Sequence, residues 1–301
     1  MKQSDNQMDK QSDNQKKNDF SRGSVVGNIM KLAVPMTLAQ LINVLYNIVD
    51  RIYIGMIPEN ATLSLTGLGL CLPIISIVIA FANLFGMGGA PLCSIERGRG
   101  NEKEAEAIMG NSFVMMVAVG ILLTVLGLMF KRPMLYLFGA SDATIPYADA
   151  YVTIYLMGNI FVMTGLGMNS FINSQGFGRI GMQTVLLGAV ANIILDPVFI
   201  FGFRMDVRGA ALATIISQFV SAFLCLNRLT RKSPEEYRVC LKKIRFDTAL
   251  LRQIIANGLP AGFQNSVISL ANVVVQSNIN RFGKMAMAGC GAYSKIEGFG
   301  F

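Results

Sequence analysis

The residues best suited to chemistry are carboxylates that stand inside long apolar stretches. Asp50, Asp196 and Glu297 lie well within such stretches, and the chain contains no histidine. A charged side chain in apolar surroundings is costly unless it is paired, protonated or in contact with water. Carboxylate oxygens bind small hard cations and exchange protons. These side chains are therefore the first candidates for a site that binds Na⁺ or H⁺.

Asn192 and Thr214 extend this candidate site with a carboxamide and a hydroxyl oxygen. Asn192 precedes Asp196 by four residues, so both side chains share one face of a helix. If the N-terminus lies in the cytoplasm, Asp50 and Asp196 stand in the outer halves of outward-running helices, and Thr214 begins a helix that returns. All of them then reach one depth. We predict that one small cation or one shared proton is bound by Asp50, Asn192, Asp196 and Thr214.

Simpler interpretations of these residues stay open. Asp50 could form an ion pair with neighbouring Arg51 at the membrane surface, because long charged side chains reach towards water. Asp196 and Pro197 could mark only the end or a kink of a helix, because proline lacks the backbone N–H donor. Asn192 and Thr214 could simply join neighbouring helices by hydrogen bonds.

Pro35 and Glu297 are further candidates. Pro35 stands inside the first apolar stretch, where proline must weaken or bend a helix. A bend that responds to protonation of Asp50 would be a switch, and a static kink is the alternative. Glu297 lies close to Lys295 in the last apolar stretch. Glu297 could pack against a neighbouring helix, form an ion pair or line a cavity, and the sequence favours none of these.

The elements that must position these residues are membrane-spanning helices. The chain of 301 residues is 52% hydrophobic and only 15% charged, whereas about a quarter of the residues of soluble proteins are charged. Apolar stretches of roughly 20 residues recur, and each can cross the hydrocarbon layer as a helix. We predict an all-α polytopic membrane protein with an eighth span that begins near Met285, after spans at about 32–57, 63–85, 108–130, 151–174, 180–202, 209–229 and 254–280.

Basic residues flank these spans and predict the topology. The N-terminal tail with Lys31 and the loops after spans two, four and six together hold 18 Lys and Arg residues, against seven on the other side, which puts the N-terminus in the cytoplasm. The net charge of +8 therefore does not indicate nucleic-acid binding. We predict a disordered cytoplasmic tail (1–28), a six-helix amino-terminal lobe (29–229), an amphipathic cytoplasmic linker along the membrane surface (230–252) and the start of a second lobe (253–301).

A faint internal repeat supports this division. When Pro35 is aligned with Pro260, KLAVPMTLAQLINVLYNIVD matches ANGLPAGFQNSVISLANVVV in pattern. Each copy carries polar residues at helical spacing, and with Glu297 we predict that these line a cavity: Gln40, Asn43 and Asn47 in the first copy, Asn272 and Gln276 in the second. If the second unit also has six helices, we expect about 150 further residues in the parent protein.

Other kinds of site are not expected. The five cysteines are widely spaced without a CxxC pair, which makes a disulfide framework or a zinc site improbable. The Gly-rich segment from Gly86 lacks the GK[ST] ending of a phosphate loop. DDxxD and Ser/His constellations are absent too, so we expect neither an enzyme nor a cofactor. A channel fits the composition alone, but the sequence has no repeated filter-like loop.

Several short motifs follow one another in a fixed order along the chain. They begin with the P-x14-D pattern from Pro35 to Asp50 and continue with RIYIG, GMGGAPLCSIERGRGNEKEA, NIILDP, RGAALATIISQ, FDTALLRQIIANGLP and AYSKIEGFGF, which ends at residue 301. In this order and spacing, the motifs resemble those of the multidrug and toxic compound extrusion (MATE) transporters. By this resemblance, the chain ends after the start of the eighth helix of a twelve-helix protein with two six-helix lobes.

The resemblance implies a monomeric antiporter in the bacterial inner membrane that exports amphipathic, often cationic compounds in exchange for Na⁺ or H⁺. The family's cation site falls on Asp50, Asn192, Asp196 and Thr214, and its helix-bending proline falls on Pro35. The alternative within the same superfamily is a flippase for a lipid-linked oligosaccharide or precursor. Such a flippase needs a strongly basic cavity, and the apolar spans contain almost no Lys or Arg.

Overall fold

A computed structural model describes residues 24–57, 61–230, 246–260 and 262–263 of the protein, and all regular structure in these ranges is helical. A π-helical turn, Val198–Gly202, separates the sixth helix from the seventh. A further helix, α8, covers residues 248–260. The helices before it are α1 (Val25–Gly55), α2 (Ala61–Gly98), α3 (Glu102–Leu137), α4 (Ile145–Met157), α5 (Asn159–Ser174), α6 (Gly178–Pro197) and α7 (Asp206–Thr230).

The predicted spans of the amino-terminal lobe are present as helices. In the described residues, α1, α2, α3, α7 and α6 with its π-helical turn are each long and apolar enough to cross a membrane. The remaining span consists of α4 and α5, which meet at an angle of 57°. The fold class, an all-α polytopic membrane protein, is therefore confirmed. The tail, most of the linker and most of the second lobe lie outside the described residues, so the division into domains stays a prediction.

The bend between α4 and α5 occurs at Gly158. A Cβ atom at this position would lie 2.3 Å from the Ile215 side chain of α7, so any larger residue here would displace that side chain. Because this contact joins residues far apart in the sequence, it is invisible in the local pattern of span four. The span predicted at about 151–174 therefore consists of two helices that meet at Gly158.

Helix α1 lies mainly against α6, and α7 packs against α4, α5 and α6. Helix α2 packs between α3 and α5. The core is formed by large apolar side chains with almost no exposed surface, such as Phe171, Met109 and Met116. This arrangement brings the ends of α1 and α6 and the beginning of α7 to the same end of the bundle.

The amphipathic pattern around residue 250 is explained by packing against the bundle. Leu250 and Ile254 of α8 are buried in the same core as α2. A Cβ atom at Gly88 would lie 2.3 Å from the Ile254 carbonyl oxygen, so α2 and α8 touch through their backbones. The Asp247 N–H donates to Asn111 Oδ1 of α3 at 3.0 Å and anchors the start of α8.

Candidate functional site

The structure brings the two predicted carboxylates together. Asp50 lies near the end of α1, and Asn192 and Asp196 lie in the last two turns of α6, which packs against α1. The carboxyl groups of Asp50 and Asp196 are close enough to interact directly. Asn192 Nδ2 donates to Asp196 Oδ1 at 3.3 Å. We call Asp50, Asn192 and Asp196 the carboxylate cluster.

The carboxylate cluster is buried and only partly satisfied. Asp50 is 8% exposed, Asn192 1% and Asp196 0%. Three of its buried oxygens, Asp50 Oδ1, Asn192 Oδ1 and Asp196 Oδ2, have no hydrogen-bond partner among the described residues. Buried polar atoms without partners are rare in native proteins and usually indicate an ion, a proton or water. The cluster therefore has oxygen atoms of the kind that bind small cations, and three of them are without hydrogen-bond partners among the described residues.

The simpler interpretations of the two aspartates can be compared with this geometry. No ion pair joins Asp50 to Arg51 in the described part of the chain, where Arg51 is exposed and Asp50 is buried. Helix α6 does end at Pro197, and the π-helical turn follows directly. Asp196 is thus both at a helix end and in contact with Asp50. Short π-helical segments often occur at functional sites.

Thr214 reaches the carboxylate cluster through Tyr151. Its own hydroxyl donates to the Ala210 carbonyl at 2.9 Å, within α7. The buried phenol of Tyr151 on α4 lies within interaction range of both Thr214 and Asp50. The four predicted site residues therefore belong to one neighbourhood, with Thr214 on its side nearest α4.

Tyr46, Tyr151 and Tyr155 surround this site and were not predicted from the sequence. Tyr46 precedes Asp50 by one helical turn and interacts with it. Tyr155 stacks on Tyr151 with ring centroids 6.2 Å apart and also lies near Tyr46. The available signal was spacing, because both pairs on their own helices are four residues apart. That spacing shows a shared face but cannot show that α1 and α4 face one another.

A cavity of about 290 Å³ reaches Tyr46, one helical turn before Asp50. It lies towards the half of the bundle where α1 and α6 begin, and its wall includes α2, α5, α6 and α7. Gln40 and Asn43 line it, as their polar stripe suggested, but Asn47 is not among its lining residues and instead donates to the Asn43 carbonyl at 2.7 Å. Tyr46 and Gln218 line the cavity and interact with each other, which connects the cavity with Asp50.

The remaining predicted residues divide into two groups. Pro35 is buried in α1, and the helix is continuous from Val25 to Gly55, so a bend at this proline stays a prediction. Asn272, Gln276 and Glu297 lie outside the described residues.

More than half of the chain matches one protein family. The MatE family model matches residues 35–198, which is more than half of the sequence and includes both aspartates. The chain belongs to the MatE family.

Among its curated relatives, this MatE-family chain is 28% identical to the multidrug export protein MepA of Staphylococcus haemolyticus over 280 residues. It is 26% identical to MepA of Staphylococcus aureus strain MRSA252 over the same length. Each alignment covers 93% of this chain and 61% of the relative. The chain thus spans about three fifths of the length of these relatives.

Solved structures share the fold. The chain aligns with a MOP-superfamily transporter from Pyrococcus furiosus at a TM-score of 0.84 and 24% identity, over 93% of this chain and 61% of that one. An outward-facing multidrug-resistance MATE transporter aligns at a TM-score of 0.85 and 23% identity, again over 93% and 61%. The helical arrangement described above is therefore the one found in these transporters.

Proposed function

We propose that this protein is a secondary active efflux antiporter. In this proposal, Na⁺ or H⁺ binds at the carboxylate cluster, and an amphipathic, often cationic compound occupies the cavity. Binding of the cation shifts the packing of α1 against α6 and lowers the affinity for the exported compound. Such coupling requires that each ligand bind one conformation better than the other.

The single observation that carries the proposal is the set of buried oxygens without partners. Asp50 Oδ1, Asn192 Oδ1 and Asp196 Oδ2 meet at the contact between α1 and α6. A cation or a proton between the two carboxyl groups would remove their mutual repulsion. The same oxygens in the ion-free state repel one another, so the contact between the helices responds to occupancy.

The mixed apolar and polar lining of the cavity suits an amphipathic substrate. Its described lining combines methionines, such as Met36 and Met182, with carboxamides, such as Gln40 and Asn169. Flexible methionine side chains adapt to ligands of different shape. The contact of Tyr46 with Gln218 gives a physical route between this cavity and Asp50. The staphylococcal relatives are multidrug export proteins, which agrees with this assignment.

A flippase for a lipid-linked precursor is the less favoured alternative. Recognition of a pyrophosphate group calls for Arg or Lys in the central cavity. None of the residues that line the described cavity carries a charge. We further propose that the protein acts without a cofactor as a monomer in the bacterial plasma membrane, with its N-terminus in the cytoplasm.

Efflux of ethidium from cells that express the protein tests the proposal under imposed Na⁺ or pH gradients. Asp50→Asn and Asp196→Asn are expected to lower gradient-driven efflux at least tenfold, because a carboxamide binds a cation weakly and cannot exchange a proton. Dependence on one gradient identifies the coupling ion.

The matched control is Asp149→Asn, which removes a carboxylate from the ion pair with Lys131 on the same bundle. This variant is expected to keep at least half of the efflux at equal expression. Undiminished efflux in Asp50→Asn and Asp196→Asn would contradict the role of the carboxylate cluster. If cells that express the unmodified protein retain as much ethidium as cells without it, the result would instead favour the flippase.

A further inference from the structure

Two aromatic rings join the end of α1 to the π-helical turn that follows α6. The rings of Tyr53 and Phe201 meet edge to face, with their centroids 6.3 Å apart and their planes at 76°. Tyr53 follows Asp50 by three residues, and Phe201 follows Asp196 by five. We call Tyr53 and Phe201 the aromatic pair.

Helices α1 and α6 run side by side in the same direction. A Cβ atom at Gly178, the first residue of α6, would lie 3.4 Å from the Leu32 carbonyl oxygen of α1. Near the other ends of the same two helices, Asp50 interacts with Asp196. Between these two contacts the chain advances by the same number of residues on both helices, so their successive turns lie opposite one another. The aromatic pair is therefore the next layer beyond the two carboxylates.

This layer separates the carboxylate cluster from the nearest end of the bundle. Helix α1 ends at Gly55 and the π-helical turn ends at Gly202, each within two residues of the aromatic pair. In the opposite direction, the central cavity reaches Tyr46, one helical turn before Asp50. The carboxylates thus lie between the cavity and the aromatic pair. An ion that comes from the nearest helix ends has to pass the two rings.

The surroundings of the aromatic pair are closely packed, whereas the ring of Phe201 is not. Ile54 is 0% exposed and Ile200 is 2% exposed. A Cβ atom at Gly209 of α7 would lie 2.7 Å from the Phe199 carbonyl carbon, so the backbone of the π-helical turn is packed directly against α7. Phe201 is 37% exposed. The turn that carries Phe201 is therefore held in place, while its ring has room to rotate.

A partly exposed ring next to a buried ion site has the properties of a gate. Apolar constrictions close a path by excluding water, and partly exposed side chains change rotamer readily. We propose that the aromatic pair is the gate through which the coupling Na⁺ or H⁺ reaches the carboxylate cluster from the ends of α1 and of the π-helical turn. The gate rests on the function proposed above, because it controls the route to the carboxylate cluster.

Chemical labelling of the carboxylates measures access through the gate. The purified protein in detergent is treated with a water-soluble carbodiimide and glycine ethyl ester, and mass spectrometry gives the labelling rate of each carboxyl group. Asp142, which is exposed, serves as the internal reference. Phe201→Ala is expected to raise the labelling rate of Asp50 and Asp196 relative to this reference by about fivefold or more, because the smaller side chain leaves the path open.

The matched control is Phe203→Ala, one residue beyond the π-helical turn. The ring of Phe203 is 67% exposed and stacks on Phe199, with 5.8 Å between the ring centroids. Phe203→Ala therefore removes an aromatic ring from the same segment without touching the contact with Tyr53, and the labelling rate is expected to change less than about twofold. Phe201→Tyr keeps a ring at the gate and is expected to be labelled at the rate of the unmodified protein.

A second pair of variants tests the gate if Phe201→Ala folds poorly. Tyr53→Ala removes the other ring and is expected to raise the labelling rate of the carboxylate cluster, whereas Tyr53→Phe keeps the ring and is expected to leave the rate unchanged. Unchanged labelling in folded Phe201→Ala and Tyr53→Ala proteins would overturn the gate. An equal rise in Phe203→Ala would overturn it as well, because that result would indicate a general loosening of the segment.

The ethidium experiment tests the proposed function separately. Absence of gradient-driven efflux from the unmodified protein would contradict the antiporter. The labelling rates would still report whether the two rings close the path to the carboxylates, so failure of the gate and failure of the antiporter give different results.

Discussion

Two polar clusters in this bundle, one buried and one partly buried, differ in how many of their hydrogen-bonding groups have partners. In the amide cluster, formed by Asn169, Asn173 and Thr184, Asn169 Nδ2 donates to the Gly181 carbonyl at 3.0 Å and to Thr184 Oγ1 at 2.8 Å. Asn173 Nδ2 donates to Asn169 Oδ1 at 2.9 Å. In the carboxylate cluster, Asn192 Nδ2 donates to Asp196 Oδ1 at 3.3 Å, and three buried oxygens have no hydrogen-bond partner among the described residues.

This difference separates a role in stability from a role in ion binding. A satisfied cluster contributes to the stability of the fold, because removing one member leaves the others without partners. An unsatisfied cluster of acceptors lowers stability until a cation or proton arrives. The amide cluster leaves one buried oxygen without a partner, Asn173 Oδ1, and is neutral. We infer that the amide cluster holds α5 against α6, whereas the carboxylate cluster is held open for an ion.

The largest expected difference in stability is between two asparagine variants. Asn169→Leu removes the donor to the Gly181 carbonyl and to Thr184 Oγ1, and it removes the acceptor of Asn173 Nδ2. We expect it to lower the free energy of unfolding by about 2 kcal/mol. Asn192→Leu loses only the long bond to Asp196, so we expect a change below about 1 kcal/mol. A thiol-reactive dye reports unfolding, because Cys71, Cys93 and Cys225 are buried in the folded protein. Equal destabilisation by the two variants would remove the distinction between the clusters.

A smaller effect is expected when the two kinds of carboxylate are compared. Asp149 is paired with Lys131 at 2.9 Å and lies 3.7 Å from Arg132, and it is 19% exposed. Asp149→Asn should therefore lower the free energy of unfolding by about 1 kcal/mol, and less at high salt. Asp196 has no such cation in the described residues, so Asp196→Asn should leave the unfolding temperature in ion-free buffer unchanged or slightly raised. A large loss of stability in Asp196→Asn would show a structural role.

The sequence was sufficient for features set by composition and helical spacing. Apolar stretches of membrane-spanning length predicted the helices, because a helix satisfies its own backbone in lipid. The spacing of Asn192 and Asp196 predicted their shared face, and topology predicted that Asp50 and Asp196 reach one depth. The two carboxyl groups interact in the structure, but binding of an ion by them stays a prediction.

Features set by contacts between distant segments were not predictable. Gly158 at the break packs closely against Ile215 of α7, and the position of Tyr151 next to Asp50 depends on how α4 and α1 are arranged. The stripe of Gln40, Asn43 and Asn47 was recognised from spacing. Spacing alone could not reveal that Asn47 bonds to Asn43 rather than lining the cavity.

Ion-dependent stabilisation of the purified protein tests the central claim most directly. The unfolding temperature is measured against Na⁺ concentration, with choline chloride to hold ionic strength constant, and against pH, for the unmodified protein and for Asp196→Asn. A ligand at a hundred times its dissociation constant stabilises the folded state by about 2.7 kcal/mol. We predict a stabilisation by Na⁺, or a pH dependence, that the unmodified protein has and Asp196→Asn lacks. Identical Na⁺ and pH profiles for the two proteins would contradict the account.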